Sequence, residues 1–241
     1  MLSIYYSMTR DCCKCCGGKL NHAKYALSRG HLLKSCPECS TKNEDECIFY
    51  QCPDSFGFRN TIIQNYCNNC RANKTPPHEG SYNCSYVLEN GQIITKCQLM
   101  PMSSDIIPSD EFDSFFLEVL PSRGYKYYYR KMKISNPVGT LVLFQYKATI
   151  RAFSVIIDVI HETINDGSNE YDGCYVLDRF NTVLISPINL ETFRKYSSTI
   201  KVFNQSPQII KDAELPSIFS LIQQGGMSPV LFVRNNRLPE A

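Results

Sequence analysis

The sequence predicts an α+β fold in which a small cysteine-rich amino-terminal module precedes a mostly β domain. Three observations predict it. Ten of the 13 cysteines fall within residues 12–70. Residues 75–110 hold four prolines, many turn formers and no long periodic pattern. From residue 111 onward, short apolar and β-branched runs recur between turn signals, the texture of a strand-rich domain.

Composition sets the outer bounds. Of the 241 residues, 43% are hydrophobic and 20% charged. That is enough apolar side chain to bury a core, which excludes wholesale disorder. A net charge of +2 gives no global attraction to nucleic acid, so any such contact is through a local patch. Apolar stretches such as Val155-Ile156-Ile157 fall far short of the ~20 residues of a membrane span. The opening MLSIYYSMTR is too polar for a secretory signal, so an intracellular location is expected, cytoplasmic or, in a eukaryote, nuclear.

The cysteines come in spaced pairs. Cys12/Cys15 and Cys13/Cys16 overlap; Cys36/Cys39 and Cys67/Cys70 follow. Two thiolates three residues apart converge on one metal ion when the turn between them is tight. Cys-Gly-Gly after the first pair (Cys16-Gly17-Gly18) lets backbone N–H groups point at the thiolates. Cys67-Asn68-Asn69-Cys70, followed by Arg71-Ala72-Asn73-Lys74, reads as a short helix whose first turn supplies two ligands. Two structural Zn²⁺ ions are expected. The preferred division places Cys13, Cys16, Cys36 and Cys39 on one ion and Cys47, Cys52, Cys67 and Cys70 on the other. The rival division puts one ion on Cys36, Cys39, Cys67 and Cys70, with the first pair completed by His22 or His31. A closed four-thiolate site has no position for a catalytic water, so this metal argues for a staple.

Residues 12–74 resemble the treble-clef and zinc-ribbon fingers of nucleic-acid proteins. Part of that region also resembles an HNH nuclease core. Pro53, Ser55 and Gly57 fall where that family has its loop, and Asn60 or Asn65 stands for its Asn. The departure is at Gln51, where the general-base histidine belongs, with no histidine between His31 and His78. Without a base to deprotonate water that mechanism fails. Mg²⁺ enters only if this nuclease alternative holds.

Three segments follow from these features. Residues 1–80 are the cysteine-rich module. Residues 81–110 are a connection carrying one hairpin, with Asn90-Gly91 as its turn. Residues 111–241 are the β domain. Its strands are expected within FFLEVL, GTLVLFQY, TIRAFSVIIDVI, CYVLD, TVLIS and VLFV. Helices are expected at 189–196 and 214–223, neither with a long amphipathic stripe.

Within that domain the run 123–133 (RGYKYYYRKMK) carries five cations, four tyrosines and no acid. Cations interleaved with rings suit a phosphate backbone and stacked bases. Arg123, Lys126, Arg130 and Lys131 are the expected phosphate contacts. Tyr125, Tyr127, Tyr128 and Phe153 are the expected stacking residues. On a strand, Tyr125, Tyr127 and Tyr129 share one face and Lys126, Tyr128 and Arg130 the other.

Residues 112–222 resemble the PUA-like superfamily, which includes EVE, YTH and ASCH domains. The resemblance is carried by Pro137-Val138-Gly139-Thr140-Leu141-Val142-Leu143-Phe144 and by the later TVLISPINLETFRK and Phe203-Asn204-Gln205 stretches. It implies a small β-barrel that reads a base or a modified base. EVE and YTH domains build their base cage from tryptophans. This chain has none, so Tyr or Phe stands in for them. The expected function is zinc-containing nucleic-acid binding, with DNA ahead of RNA as partner. The alternatives are a restriction-type endonuclease and a protein-interaction module.

Overall fold

A computed structural model describes residues 11–29, 31–60, 62–76, 78–104, 107–130, 137–167 and 169–224. Lys131 and the apolar run 230–233 lie outside the described residues. No helix among the described residues is long and apolar enough to cross a membrane.

The first half builds a five-stranded antiparallel sheet. Its elements begin with β1 (Tyr25–Ser28), β2 (His31–Ser35), α1 (Pro37–Asn43) and β3 (Ile48–Gln51). A small hairpin of β4 (Phe58–Arg59) and β5 (Ile62–Ile63) leads into α2 (Asn68–Arg71). Then come β6 (Tyr82–Asn83), α3 (Cys84–Asn90) and β7 (Gly91–Ile94). The sheet order is β6-β3-β2-β1-β7.

The second half opens with β8 (Lys96–Met102), followed by a helical segment of α4 (Phe112–Ser114), a π turn (Phe115–Val119) and α5 (Leu120–Ser122). Next are β9 (Lys126–Tyr129), β10 (Thr140–Tyr146) and the long β11 (Thr149–Ile160). The short pair β12 (Ile164–Asn165) and β13 (Glu170–Tyr171) precedes β14 (Gly173–Leu177) and β15 (Val183–Asn189). The described chain ends with α6 (Leu190–Arg194), β16 (Gln208–Ile210) and α7 (Leu215–Gln224).

Seven of these strands form one sheet ordered β16-β8-β10-β11-β14-β9, with β15 also paired to β11. β11 changes partner along its length. It pairs with β15 up to Phe153 and with β14 from Ile156, with register shifts in both pairings. Such bulges bend a strand and raise its local twist, and they curl this sheet into a half barrel. The class is therefore α+β and mostly strand, as the sequence predicts.

β10 is buried along its whole length because both its faces are covered. Leu141 and Leu143 face one core cluster, which also holds Phe153, Phe219 and the thiols of Cys36 and Cys39. Val142, Phe144 and Tyr146 face a second cluster with Phe112, Phe116 and Leu120. An apolar run without alternation is what a strand buried on both faces requires.

Three expectations are corrected. FFLEVL is helical rather than a strand, because Phe112, Phe116 and Leu120 recur every fourth residue and bury one stripe. Asn90-Gly91 is not a hairpin turn. Asn90 ends α3, whose Cys84 and Val87 are buried one turn apart, and Gly91 starts β7 beside Leu27 and Ser28. A Cβ at Gly91 would lie 2.0 Å from the Leu27 carbonyl oxygen, which excludes any other residue. Finally, α7 does carry an apolar stripe: Leu215, Ile218, Phe219 and Ile222 are all buried. The Phe219 ring lies tilted against that of Tyr25, centroids 4.6 Å apart, so the last described helix packs on the first strand.

The Pro137–Thr140 motif turns the chain between the sheets. Gly139 has φ +84°. Its amide donates to the Ile156 carbonyl at 2.8 Å and its carbonyl accepts from the Thr95 amide at 3.0 Å. Thr95 is the residue at which the chain leaves β7 for β8.

Candidate metal centres and nucleic-acid interface

Two groups of thiols form, and their division differs from the preferred one. Cys36, Cys39, Cys67 and Cys70 have all their Sγ atoms within 4.8 Å of one another, as do Cys13, Cys16 and Cys47. The fully buried Cys84 joins the second group through hydrogen bonds with the thiols of Cys16 and Cys47. Seven of the eight predicted thiols thus lie in one group or the other. Cys52 lies in neither, and Cys84 stands in its place.

The reason is β3. Cys47 and Cys52 flank its four extended residues. At about 3.3 Å per residue they stand about 16 Å apart, too far to share one ion. Cys52 turns instead into the first core cluster, and burial pushes its thiol up to about 12. Cys47 is drawn to the first pair, where its amide donates to Cys13 Sγ at 3.3 Å. Neither His22 nor His31 belongs to either group.

Local structure aims each ligand. Cys36 and Cys67 are the residues before α1 and α2, and Cys39 and Cys70 sit in the first turns of those helices. Each helix start therefore offers two thiols on one side, where its free N–H groups favour negative charge. The first pair sits on a turn instead. Gly17 adopts φ +67°, and the Gly18 amide donates to the Cys16 thiol, as the Cys-Gly-Gly spacing predicts.

The distances suit a metal. A tetrahedral ion with Zn–S near 2.3 Å holds its sulfurs about 3.8 Å apart. The sulfurs of Cys36 and Cys70 lie 3.9 Å apart, those of Cys39 and Cys67 3.9 Å, and those of Cys39 and Cys70 3.4 Å. A disulfide would need about 2.05 Å. Hydrogen bonds from the Cys39 thiol and neighbouring groups hold Cys36 down at about 5. Those from Cys47 and Cys84 lower Cys16. Sulfur atoms gathered at these spacings are a donor set that fits a soft divalent cation. Around the Cys36 group, the Tyr50 hydroxyl donates to Cys39 Sγ at 3.3 Å and His78 Nε2 lies 3.4 Å from Cys70 Sγ. These outer contacts orient thiolates and spread their charge.

Lys34 lies between the thiols and the hairpin. It is 2% exposed, and its ammonium donates to the carbonyls of Gln64 at 2.5 Å and Ile63 at 3.4 Å. It also lies over the rings of Tyr25 and Phe56, at 5.4 and 5.1 Å. Burial lowers it to about 8.

The basic–aromatic run divides by face as the strand period requires. Tyr127 packs on Phe144 and Phe115, and burial raises its phenol. Tyr129 packs on Tyr175. Tyr125, at φ +61°, packs against the second core cluster. The opposite face carries a ladder. The Arg123 guanidinium lies over Tyr128 at 4.8 Å, Tyr128 meets Tyr171 at 5.1 Å, and Arg130 lies over Tyr171 at 5.3 Å. Arg123 also pairs with Asp166 at 3.7 Å, and Arg130 donates to Asn169. Lys126 is exposed on the same strand.

Phe153 is a correction. It is fully buried between β10 and β15 and has no face to offer a base. The residue that completes the ladder, Tyr171, lies among the acidic residues Asp166, Glu170 and Asp172. No local sequence signal marks it, because its partner Tyr128 is 43 positions away.

At the start of β9 a groove of about 750 Å³ runs between the two sheets. Tyr125, Ile157 and Phe180 give it apolar walls, and its charged lining is balanced, with Arg29 and Arg179 beside Glu89 and Asp178. Ile157 and Phe180 are exposed there.

No family model matches the chain, and no curated protein does. Among solved structures, it is similar to the crystal structure of ASCH from Zymomonas mobilis. The identity is 11%, over 55% of this chain and 96% of that one, with a TM-score of 0.37. It is also similar to a Rhodopseudomonas palustris protein solved by NMR, at 11% identity over 55% of this chain and 93% of that one, with a TM-score of 0.33.

Proposed function

We propose that the protein is a zinc-braced nucleic-acid-binding protein whose carboxy-terminal sheet acts as a PUA-like base reader. The observation that carries this reading is the Arg123–Tyr128–Tyr171–Arg130 ladder on the outer face of β9, beside the groove lined by Ile157 and Phe180. Guanidinium groups and the exposed Lys126 take phosphates, and ring faces take bases. The groove then receives a base turned out of its stack, with Tyr125 and Phe180 in place of the missing tryptophans.

Zinc supplies a closed structural staple. Cys36, Cys39, Cys67 and Cys70 hold one ion; Cys13, Cys16, Cys47 and Cys84 hold the other. The chain's own part is to brace the first sheet, on whose β7 edge the groove opens.

The nuclease alternative gains nothing from the local chemistry. Gln51 ends β3 as a neutral amide and accepts no proton from water at ordinary pH. The test is binding of the full zinc-loaded chain to labelled single- and double-stranded DNA and RNA, methylated and unmethylated, across a salt series. Affinity that falls with salt supports the reading, and cleavage on adding Mg²⁺ or Mn²⁺ would revive the nuclease. Absence of salt-dependent binding would favour a protein-interaction module.

A further inference from the structure

A second cavity lies away from the ladder, between the β4–β5 hairpin, the first sheet and the start of α7. Its volume is about 670 Å³, within the range of small-molecule sites. Its charge is one-sided. Lys34 and Arg59 line it and no carboxylate does. Lys34 forms no ion pair with a carboxylate among the described residues. Besides carbonyls and ring faces, the thiols of Cys52 and Cys36 act on its charge; within the cavity it stands with Arg59, and two cations with no carboxylate beside them attract an anion.

The remaining lining is amide-rich: Asn60, Gln64 and Asn65 come from one short segment of chain. A carboxamide presents a donor and an acceptor side by side, the pattern that matches the edge of a nucleobase. Asn60 and Asn65 are exposed, so their amides are open to a ligand, and Ile62 adds an exposed apolar rim. Anion, hydrogen-bonding edge and apolar face together describe one chemical class.

We infer that this cavity binds a nucleotide, with its phosphate towards Lys34 and Arg59 and its base against the carboxamides and Ile62. The nucleotide has two sources, a free mononucleotide or the 5′-phosphorylated end of a strand. The site does not depend on the ladder.

The test uses the full zinc-loaded chain and calorimetric titration. The probes are the four 5′-ribomononucleotides, inorganic phosphate, and one short oligonucleotide with either a 5′-phosphate or a 5′-hydroxyl. At least one mononucleotide or the phosphorylated oligonucleotide should bind, about tenfold or more tighter than phosphate alone. A preference for the phosphorylated over the hydroxyl end identifies a strand end; binding of mononucleotides alone identifies a free nucleotide. Arg59→Ala should weaken binding about tenfold or more, the loss expected for a charge-assisted contact, with melting temperature and zinc content unchanged. Lys34→Met should do the same. If that variant fails to fold, Arg59→Ala and Asn65→Ala decide. Arg130→Ala should leave mononucleotide binding as in the parent, which separates this site from the ladder. The inference is overturned if no nucleotide binds the parent, if phosphate alone binds as tightly, or if Arg59→Ala binds like the parent.

Discussion

The Cys47 amide donates to the Cys13 thiol at 3.3 Å across 34 positions of sequence. That contact interlaces the two thiol groups along the chain: 13 and 16, then 36 and 39, then 47, then 67 and 70, then 84. It also decides which cysteine completes which group. Elemental analysis should give two zinc ions per chain. Cys84→Ser should lower that to one, and Cys52→Ser should leave it at two. A chain that keeps two ions without Cys84, or loses one without Cys52, contradicts this division.

The two faces of β9 should respond differently to substitution. Lys126→Ala and Arg130→Ala should weaken binding to all sequences and each reduce the salt slope by about one unit. Tyr171→Ala should cost about 1–3 kcal/mol of binding and leave the slope unchanged. Parent-like affinity at low salt for all three variants would remove β9 as the interface.

Tyr127 and Phe153 belong to the core and should behave as core. Phe153→Ala opens a hole in a fully buried cluster, a change that typically costs about 3–5 kcal/mol. Thermal melting should show the loss, and affinity should be parent-like where the variant remains folded. Weakened binding by Phe153→Leu with an unchanged melting temperature would return this residue to the binding surface.

Gly139 is the most constrained backbone position of the turn between the sheets. Its φ is +84°, and an added Cβ would lie 2.6 Å from the Ile93 carbonyl oxygen. Both features oppose an L side chain, so Gly139→Ala should destabilise the protein by about 1–3 kcal/mol. Chemical denaturation measures it. An unchanged midpoint would mean the turn relaxes freely.

Local pattern made much of this legible. The spacing of Cys67 and Cys70 announced a helix start, the two-residue period of β9 sorted its tyrosines by face, and the apolar run of β10 announced a strand. Pairing over long distances was not legible. Cys84 looks like any lone cysteine until α3 carries it to Cys16, and Tyr171 looks like part of an acidic loop until β12 and β13 bring it to Tyr128. The helix at 112–122 was missed because its aromatic residues have high strand propensity, while the four-residue spacing that buries them was the stronger signal.

β8 is hydrogen-bonded on both sides, to β10 in parallel and to β16 antiparallel. It lies in the stretch that the sequence reads as a connection. A fragment beginning at residue 111 would lack it. Such a fragment would bare one edge of β10 and strip β16 of its partner, exposing a row of unpaired N–H and C=O groups along a strand that is apolar on both sides. Edges of that kind invite pairing with another molecule. Cutting this protein at its apparent linker should therefore yield self-associating chains rather than a free-standing reader.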